Sequence, residues 1–175
     1  WTSNASWLAL AELLRELTTP LEVTTRLYPV DLDAVKDRLS TDMKAKPDYV
    51  FHLGQSPGSA TICLEEVAIN IATGGKELSQ QEFVHPVSAH GPVAYSSQLP
   101  LANYAQGLRD AGIPARVSRH AGTFLCNAIM YWSHQLIADL DLPTRATFVH
   151  IPLETSQVIS LDQPMAFMPK EMVAQ

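Results

Sequence analysis

Short apolar runs separated by helix-length amphipathic stretches set the strongest constraint on how this chain folds. Tyr49-Val50-Phe51-His52-Leu53 is an unbroken run between Pro47 and Gly54, the pattern of a strand buried on both faces of a parallel sheet. Residues 67–72 and 146–151 read the same way, and the β-branched stretches 21–28 and 115–118 supply further strands. Helical periodicities lie between them. One runs from Asn4, a good N-cap, through about Leu17, with Trp7, Leu8, Ala11 and Leu14 at helical spacing. A second follows the Asp31 cap over 32–46, with Val35, Leu39 and Met43 on one face. A third, over 101–111, is framed by Pro100 and Gly112, and a fourth, over 123–140, carries Phe124, Ile129, Trp132, Leu136 and Ile137. This alternation predicts an α/β fold, a mostly parallel twisted sheet covered by helices on both faces. The Gly74-Gly75 pair and Phe83-Val84-His85 add a β-hairpin excursion.

The 175 residues, 46% hydrophobic and 17% charged, match one globular domain with its own core, so a single domain over 1–175 is expected. The chain enters its first helical pattern at once and stops within its last, at 169–175, which suggests that a first strand and part of the last helix are lacking. A net charge of −6 without a local basic cluster argues against nucleic acid or an anionic membrane surface as partner. No apolar run approaches the roughly 20 residues that span a bilayer, and the start lacks a signal-peptide pattern. Two cysteines, Cys63 and Cys126, are too few for a disulfide framework and point to a reducing, cytoplasmic setting, with a Cys63–Cys126 bridge as the alternative.

In open α/β sheets ligands bind beyond the carboxyl ends of strands, which draws notice to three places. They are the loop after Leu53, the turn 118–122 leading to Cys126, and His150 at the end of Thr147-Phe148-Val149. Cys126 falls in the first turn of a long helix, where unsatisfied amides stabilise a thiolate. Taken singly, Cys126 and His150 also read as core residues and Glu65 as a strand-edge charge beside Glu66. Together, a strand-end cysteine and a histidine on the next βα unit would be brought close if their strands were parallel neighbours. A thiol, an imidazole and an orienting carboxylate are the minimum set for amide cleavage through a thioester. The six histidines show no His-Glu-x-x-His spacing and the cysteines no Cys-x-x-Cys pair, so no metal or other cofactor is expected.

The segment Ala121-Gly122-Thr123-Phe124-Leu125-Cys126-Asn127 resembles the cysteine signature of the pyroglutamyl peptidases. Phe148-Val149-His150-Ile151-Pro152 is similar to that family's histidine segment. Leu64-Glu65-Glu66-Val67-Ala68-Ile69-Asn70 resembles its glutamate segment, a match that selects Glu65 over Glu66. Gly54-Gln55, 91–95 and Asn4-Ala5-Ser6-Trp7 fit as well, in the same order along the chain. The resemblance implies a cysteine peptidase acting on peptides or small amides with an N-terminal pyroglutamate. In it Cys126 would be the nucleophile, His150 the base and later acid, and Glu65 the group that holds the imidazole. Gln55, Phe124, Leu125 and Asn4 would contact the substrate, and the protein would be a homo-oligomer. The chain departs from the family where an arginine-bearing loop is replaced by Gly74-Gly75-Lys76, where Ser56-Pro57-Gly58-Ser59 replaces a glycine-rich loop, and where a glycine-rich, Phe-containing strand would precede Asn4. Two other readings stay open, a degenerate homologue serving as a binding or assembly module and a thiol hydrolase of another small amide.

Overall fold

The computed structural model of the chain describes residues 3–74 and 84–175. Its centre is a four-stranded sheet of β1 (Tyr49–Gln55), β2 (Ile62–Glu65), β7 (Ala115–Ser118) and β8 (Arg145–Ile151), in the order β1-β8-β2-β7. β1 runs parallel to β8 and β2 parallel to β7, while β2 meets β8 antiparallel. Two of the three pairings are therefore parallel, as the alternation of elements predicts.

Helices cover both faces. On one side α2 (Leu32–Asp42) and α4 (Leu125–Asp139) pack Val35, Leu39, Ala128, Met130 and Tyr131 against Phe148 of the sheet. On the other, α1 (Ala5–Glu16) and α3 (Leu101–Asp110) bring Ala5, Ala9, Leu101 and Ala105 onto Ile62, Leu64 and Ile151. The period-two alternation of strand side chains explains the division, since Phe148 and His150 of β8 point one way and Val149 and Ile151 the other. Local signals set the helix limits. Asn4 and Asp31 cap α1 and α2 by accepting from Ser6 N and Ala34 N. Gly112, at φ +81°, lets Ile113 N reach back to Leu108 O (2.9 Å) and close α3.

Small ribbons flank the sheet. β3 (Val67–Ile69) pairs with β6 (Ala94–Ser96), and β4 (Ala72–Thr73) with β5 (Val84–His85), both antiparallel. The second pair bears out the hairpin excursion, although Gly75, Lys76 and Phe83 lie outside the described residues. A short helix α5 (Thr155–Val158) and the turn α6 (Lys170–Val173) complete the chain, and Lys170 Nζ reaches Glu12 of α1 at 3.0 Å.

Four sequence expectations are corrected. Residues 21–28 join no ladder and leave Leu21, Val23 and Leu27 exposed, because β propensity makes a strand only where a neighbour supplies hydrogen bonds. β1 is an edge strand and not one buried on both faces, with Tyr49 and Phe51 53% and 50% exposed. α1 buries Ala5, Ala9 and Glu12 and leaves Trp7 and Leu14 exposed, so its buried face is the one where small alanines approach the sheet and Glu12 pairs with Arg15 and Lys170. The single strand expected over 67–72 is broken between β3 and β4, where Asn70 turns aside to bond Ser88.

His52 of β1 and His134 of α4 are buried on the α4 face, and the His52 ring meets Ser133 Oγ at 2.7 Å. Burial lowers both imidazoles from 6.5 to about 4, with His134 adding to the effect on His52. The unfolded chain binds protons at these rings below pH 6.5 while the folded one refuses them until about 4, so stability is lost across that window as pH falls. The loss is expected to be on the order of 3 kcal/mol per ring at full shift. Urea denaturation across the window should show a smaller loss in His134→Leu than in the parent chain; equal losses would refute the assignment.

Candidate active site

β8 is the middle strand that carries the site. His150 stands opposite Gly54 of β1 on one side and Cys63 of β2 on the other. Two residues along β2, on the same face, Glu65 reaches His150, with Oε1 2.8 Å from Nδ1. Oε1 accepts the ring N–H at Nδ1, which leaves Nε2 to face the Cys126 sulfur. The other oxygen, Oε2, is buried with no partner among the described residues, so the carboxylate is turned wholly to the imidazole. Glu66 goes elsewhere and pairs with Arg119, in keeping with the choice of Glu65.

Burial by itself would lower the His150 pKa. The hydrogen bonds and charges of Cys126 and Glu65 outweigh burial and raise it from 6.5 to about 9. The imidazolium is favoured because the groups on both sides of it stabilise its positive charge. Its stabilising contribution is fully present below pH 6.5 and disappears as pH rises through about 9.

Cys126 is the second residue of α4 and half-buried. It does not come near His150 as an adjacent parallel strand would bring it, since β2 stands between β7 and β8. Instead the turn 119–124 carries the chain from β7 to the start of α4, where the Cys126 sulfur lies beside Gly54 of β1. Gly122 at φ +79° makes the bend, its N–H donating to His120 Nδ1 at 3.1 Å. Thr73 of β4 fastens the turn, its N–H donating to Thr123 O at 2.7 Å.

The floor of the site is a feature that sequence reasoning missed. A Cβ on Gly54 would stand 2.6 Å from Phe148 Cζ and 3.4 Å from Cys126 Sγ, so a larger residue there would displace the phenyl ring and lie in contact with the sulfur. The Phe148 ring lies 4.6 Å from the His150 ring, centre to centre, and is buried. Phe148 and His150 are two apart on one strand, which is the signal that could have found it.

Phe124 is 49% exposed, contrary to its expected place in the α4 core stripe, and its ring lies against Gly74, where a Cβ would approach to 2.8 Å. Leu125 packs partly into the core beneath α4. Gln55 Oε1 accepts from Ala5 N (2.9 Å) and Gln157 Nε2 (3.0 Å), joining the end of β1 to the starts of α1 and α5. Asn4 spends its Oδ1 on Ser6. Cys63 is buried and Cys126 half-buried, and both thiols are free, so the two form no bridge. A groove of about 490 Å³ lies on the opposite face of the sheet, lined by Leu13, Leu64, Val149 and Val173, and holds neither nucleophile nor imidazole. No three His, Cys, Asp or Glu side chains are grouped to hold a metal ion among the described residues.

A family model described as pyroglutamyl peptidase matches residues 2–175. The chain belongs to the pyroglutamyl peptidase family. It is similar to the pyrrolidone-carboxylate peptidase of Clavibacter michiganensis subsp. michiganensis, 39% identical over 168 residues that cover 93% of this chain and 78% of the relative. The enzyme of the same name from Chromobacterium violaceum is 38% identical, over 90% of this chain and 74% of its own length. Among solved structures, the pyrrolidone carboxyl peptidase of Fervidobacterium islandicum superposes with a TM-score of 0.89 at 29% identity, covering 99% of this chain and 86% of that one. That of Thermococcus litoralis gives 0.86 at 26% identity, over 99% and 82% of the two chains. Pyroglutamyl peptidase membership thus agrees with the three motifs read in the sequence and with the α/β architecture.

Two outcomes are expected of substitutions here. Gly54→Ala should destabilise by about 1–3 kcal/mol, since a buried phenyl ring must move, and should lower kcat; an unchanged kcat would refute the packing of the sulfur. Glu65→Gln removes a charge that raises the His150 pKa, so the alkaline limb of the kcat/KM profile, expected near pH 9 in the parent, should move to lower pH. An unmoved limb would show that Glu65 does not tune the imidazole.

Proposed function

We propose that Cys126, His150 and Glu65 are the nucleophile, the acid–base group and the orienting carboxylate of this pyroglutamyl peptidase. Family membership makes the chain a cysteine-type peptidase that removes N-terminal pyroglutamate. The observation that carries the assignment of roles is the His150 imidazole, held by Glu65 on one side and raised to about 9 with the Cys126 sulfur on the other.

The Cys126 thiolate attacks the carbonyl carbon that joins the pyroglutamyl group to the next residue, and the carbonyl oxygen takes the charge. The start of α4 suits that oxygen. Phe124, at the cap position, offers no side-chain oxygen, so the amides of Leu125, Cys126 and Asn127 are left for a ligand. Collapse of the tetrahedral adduct breaks the C–N bond, and His150 gives its proton to the departing amine. Water then attacks the thioester, His150 takes a proton from it, and the C–S bond breaks to release pyroglutamic acid and restore the thiolate beside the protonated imidazole. Phe148 beneath the imidazole keeps water from one side of the triad, which strengthens its electrostatics.

The lactam is neutral, so its recognition calls for apolar contact and a few hydrogen bonds. The open face of Phe124 supplies the first. Gln55 and Asn4, whose side-chain oxygens are already engaged, keep their NH₂ groups as donors, and Leu125 contributes its backbone amide. The same reading treats 1–175 as one domain, on the ground that both core clusters pack on one sheet. It takes pyroglutamyl peptides as the partner, excludes nucleic acid and membrane, and places the protein in the cytoplasm as a homo-oligomer. No described helix is long and apolar enough to cross a membrane, both cysteines are free, and the oligomer rests on family resemblance.

A pyroglutamyl-coumarin substrate assayed beside its prolyl and alanyl counterparts should be the one turned over. Cys126→Ala should cost about three orders of magnitude or more in kcat while the circular dichroism is kept. Turnover of the prolyl or alanyl compound instead would favour a hydrolase of another amide. Turnover of none, with Cys126 alkylated by iodoacetamide no faster than an exposed model thiol, would favour the binding module.

A further inference from the structure

Asn127 follows the nucleophile in sequence and has no part in the chemistry described above. It is fully buried in the first turn of α4, a place where asparagine is a poor helix former and a lone carboxamide costly. Its side chain is met instead by the backbone of another element. Oδ1 accepts from Ile69 N at 2.9 Å, and Nδ2 donates to Ile69 O at 2.9 Å and to Ile71 O at 2.8 Å. The carboxamide thus pairs with both polar groups of Ile69, as the backbone of a neighbouring strand would, and bridges the bend between β3 and β4.

This bond set stands where a helix cap would ordinarily stand. Helices of the length of α4 are commonly fastened at the start by a Ser, Thr, Asp or Asn whose oxygen binds the first free amides. α1 and α2 are fastened so; α3, begun by Pro100, and α4 are not, and in α4 Phe124 occupies the position without a side-chain bond. A capping oxygen would take up amides that the developing oxyanion needs. Asn127 holds the same turn from its flank and leaves those amides open. Thr73, in the next short strand along the chain, bonds to Thr123, so the five residues 123–127 are tied to 69–73 at both ends.

We propose that Asn127 is a positioning residue for the reaction: its carboxamide, bonded to Ile69 and Ile71, replaces the missing cap of α4 and fixes the rotation of the helix that sets the Cys126 sulfur between Gly54 and His150. The sulfur has little room on the other side, where Gly54 and Phe148 close the seat. A small rotation of the first turn would carry it out of line with the imidazole and turn the amides away from the oxyanion. The inference rests on the reading of Cys126 as the nucleophile.

The test compares Asn127→Ala and Asn127→Ser with the parent and with Cys126→Ala, using a pyroglutamyl-coumarin substrate and expressing kcat per folded protein, the folded fraction being taken from circular dichroism. Should Asn127→Ala fail to fold, Asn127→Ser, which keeps one hydrogen-bonding group, decides the question. Positioning predicts a fall in kcat of about ten- to a hundredfold, the scale of a small misplacement of a reacting group, with KM changed less than kcat. It also predicts that the alkaline limb of the pH profile, near 9 in the parent, moves down as the Cys126–His150 contact loosens. A kcat per folded protein within twofold of the parent, with an unmoved limb, would overturn the inference even where the thermal midpoint falls, since that is the pattern of a merely structural residue. Turnover retained by Cys126→Ala would instead overturn the reading on which the inference rests.

Discussion

The antiparallel meeting of β2 with β8 is the constraint on which the rest of the site depends. A sheet built only of parallel strands would put the carboxyl ends of β2 and β8 at the same edge, with their last residues side by side. Here the register sets Cys63 against His150 and Glu65 against Phe148. Glu65 therefore approaches the imidazole diagonally, from a position where its carboxylate is buried and has no other partner among the described residues. An acid in that setting orients an imidazole more firmly than one in water would, because little solvent competes for it.

The helix that supplies the sulfur is held from three directions. Below it Met130 and Tyr131 are fully buried, at its side Asn127 bonds to the bend after β3, and before it Thr123 bonds to β4. At its far end Asp141 takes the left-handed conformation at φ +48°, and Leu142 N closes the helix on Ile137 O at 2.9 Å. The Cys126 sulfur thus stands on a helix held at both ends, and the open surface beside it is left to Phe124.

Much of this was legible in the chain, but unevenly. The family and the three motifs that carry it could be read because a cysteine after an Ala-Gly-Thr turn, a histidine closing an apolar run and an acid before Val67-Ala68-Ile69-Asn70 are local patterns, and local order is what a sequence displays. The helices with good caps, at Asn4 and Asp31, began where expected for the same reason. What failed were inferences that needed a neighbour. Residues 21–28 have the composition of a strand but no described partner, and Tyr49 and Phe51 read as buried although β1 lies at an edge. The route that brings Cys126 to His150 was misread because a strand of opposite direction inserts between β7 and β8. Asn127 and Phe148 were passed over, since each acquires its meaning from a residue distant in sequence, Ile69 for the one and Gly54 for the other.

The closeness of Gly54 to Phe148 and to the sulfur bears on how such a site can vary. The space under the thiol is shared by an absent side chain and a large ring, and neither can be altered freely while the other stays. Enlarging residue 54 becomes tolerable only with a smaller group at 148, and trimming 148 alone opens a void beneath the histidine. The two positions are thermodynamically coupled. A lineage or a designer wishing to reshape this floor must cross a poorer single variant or change both at once.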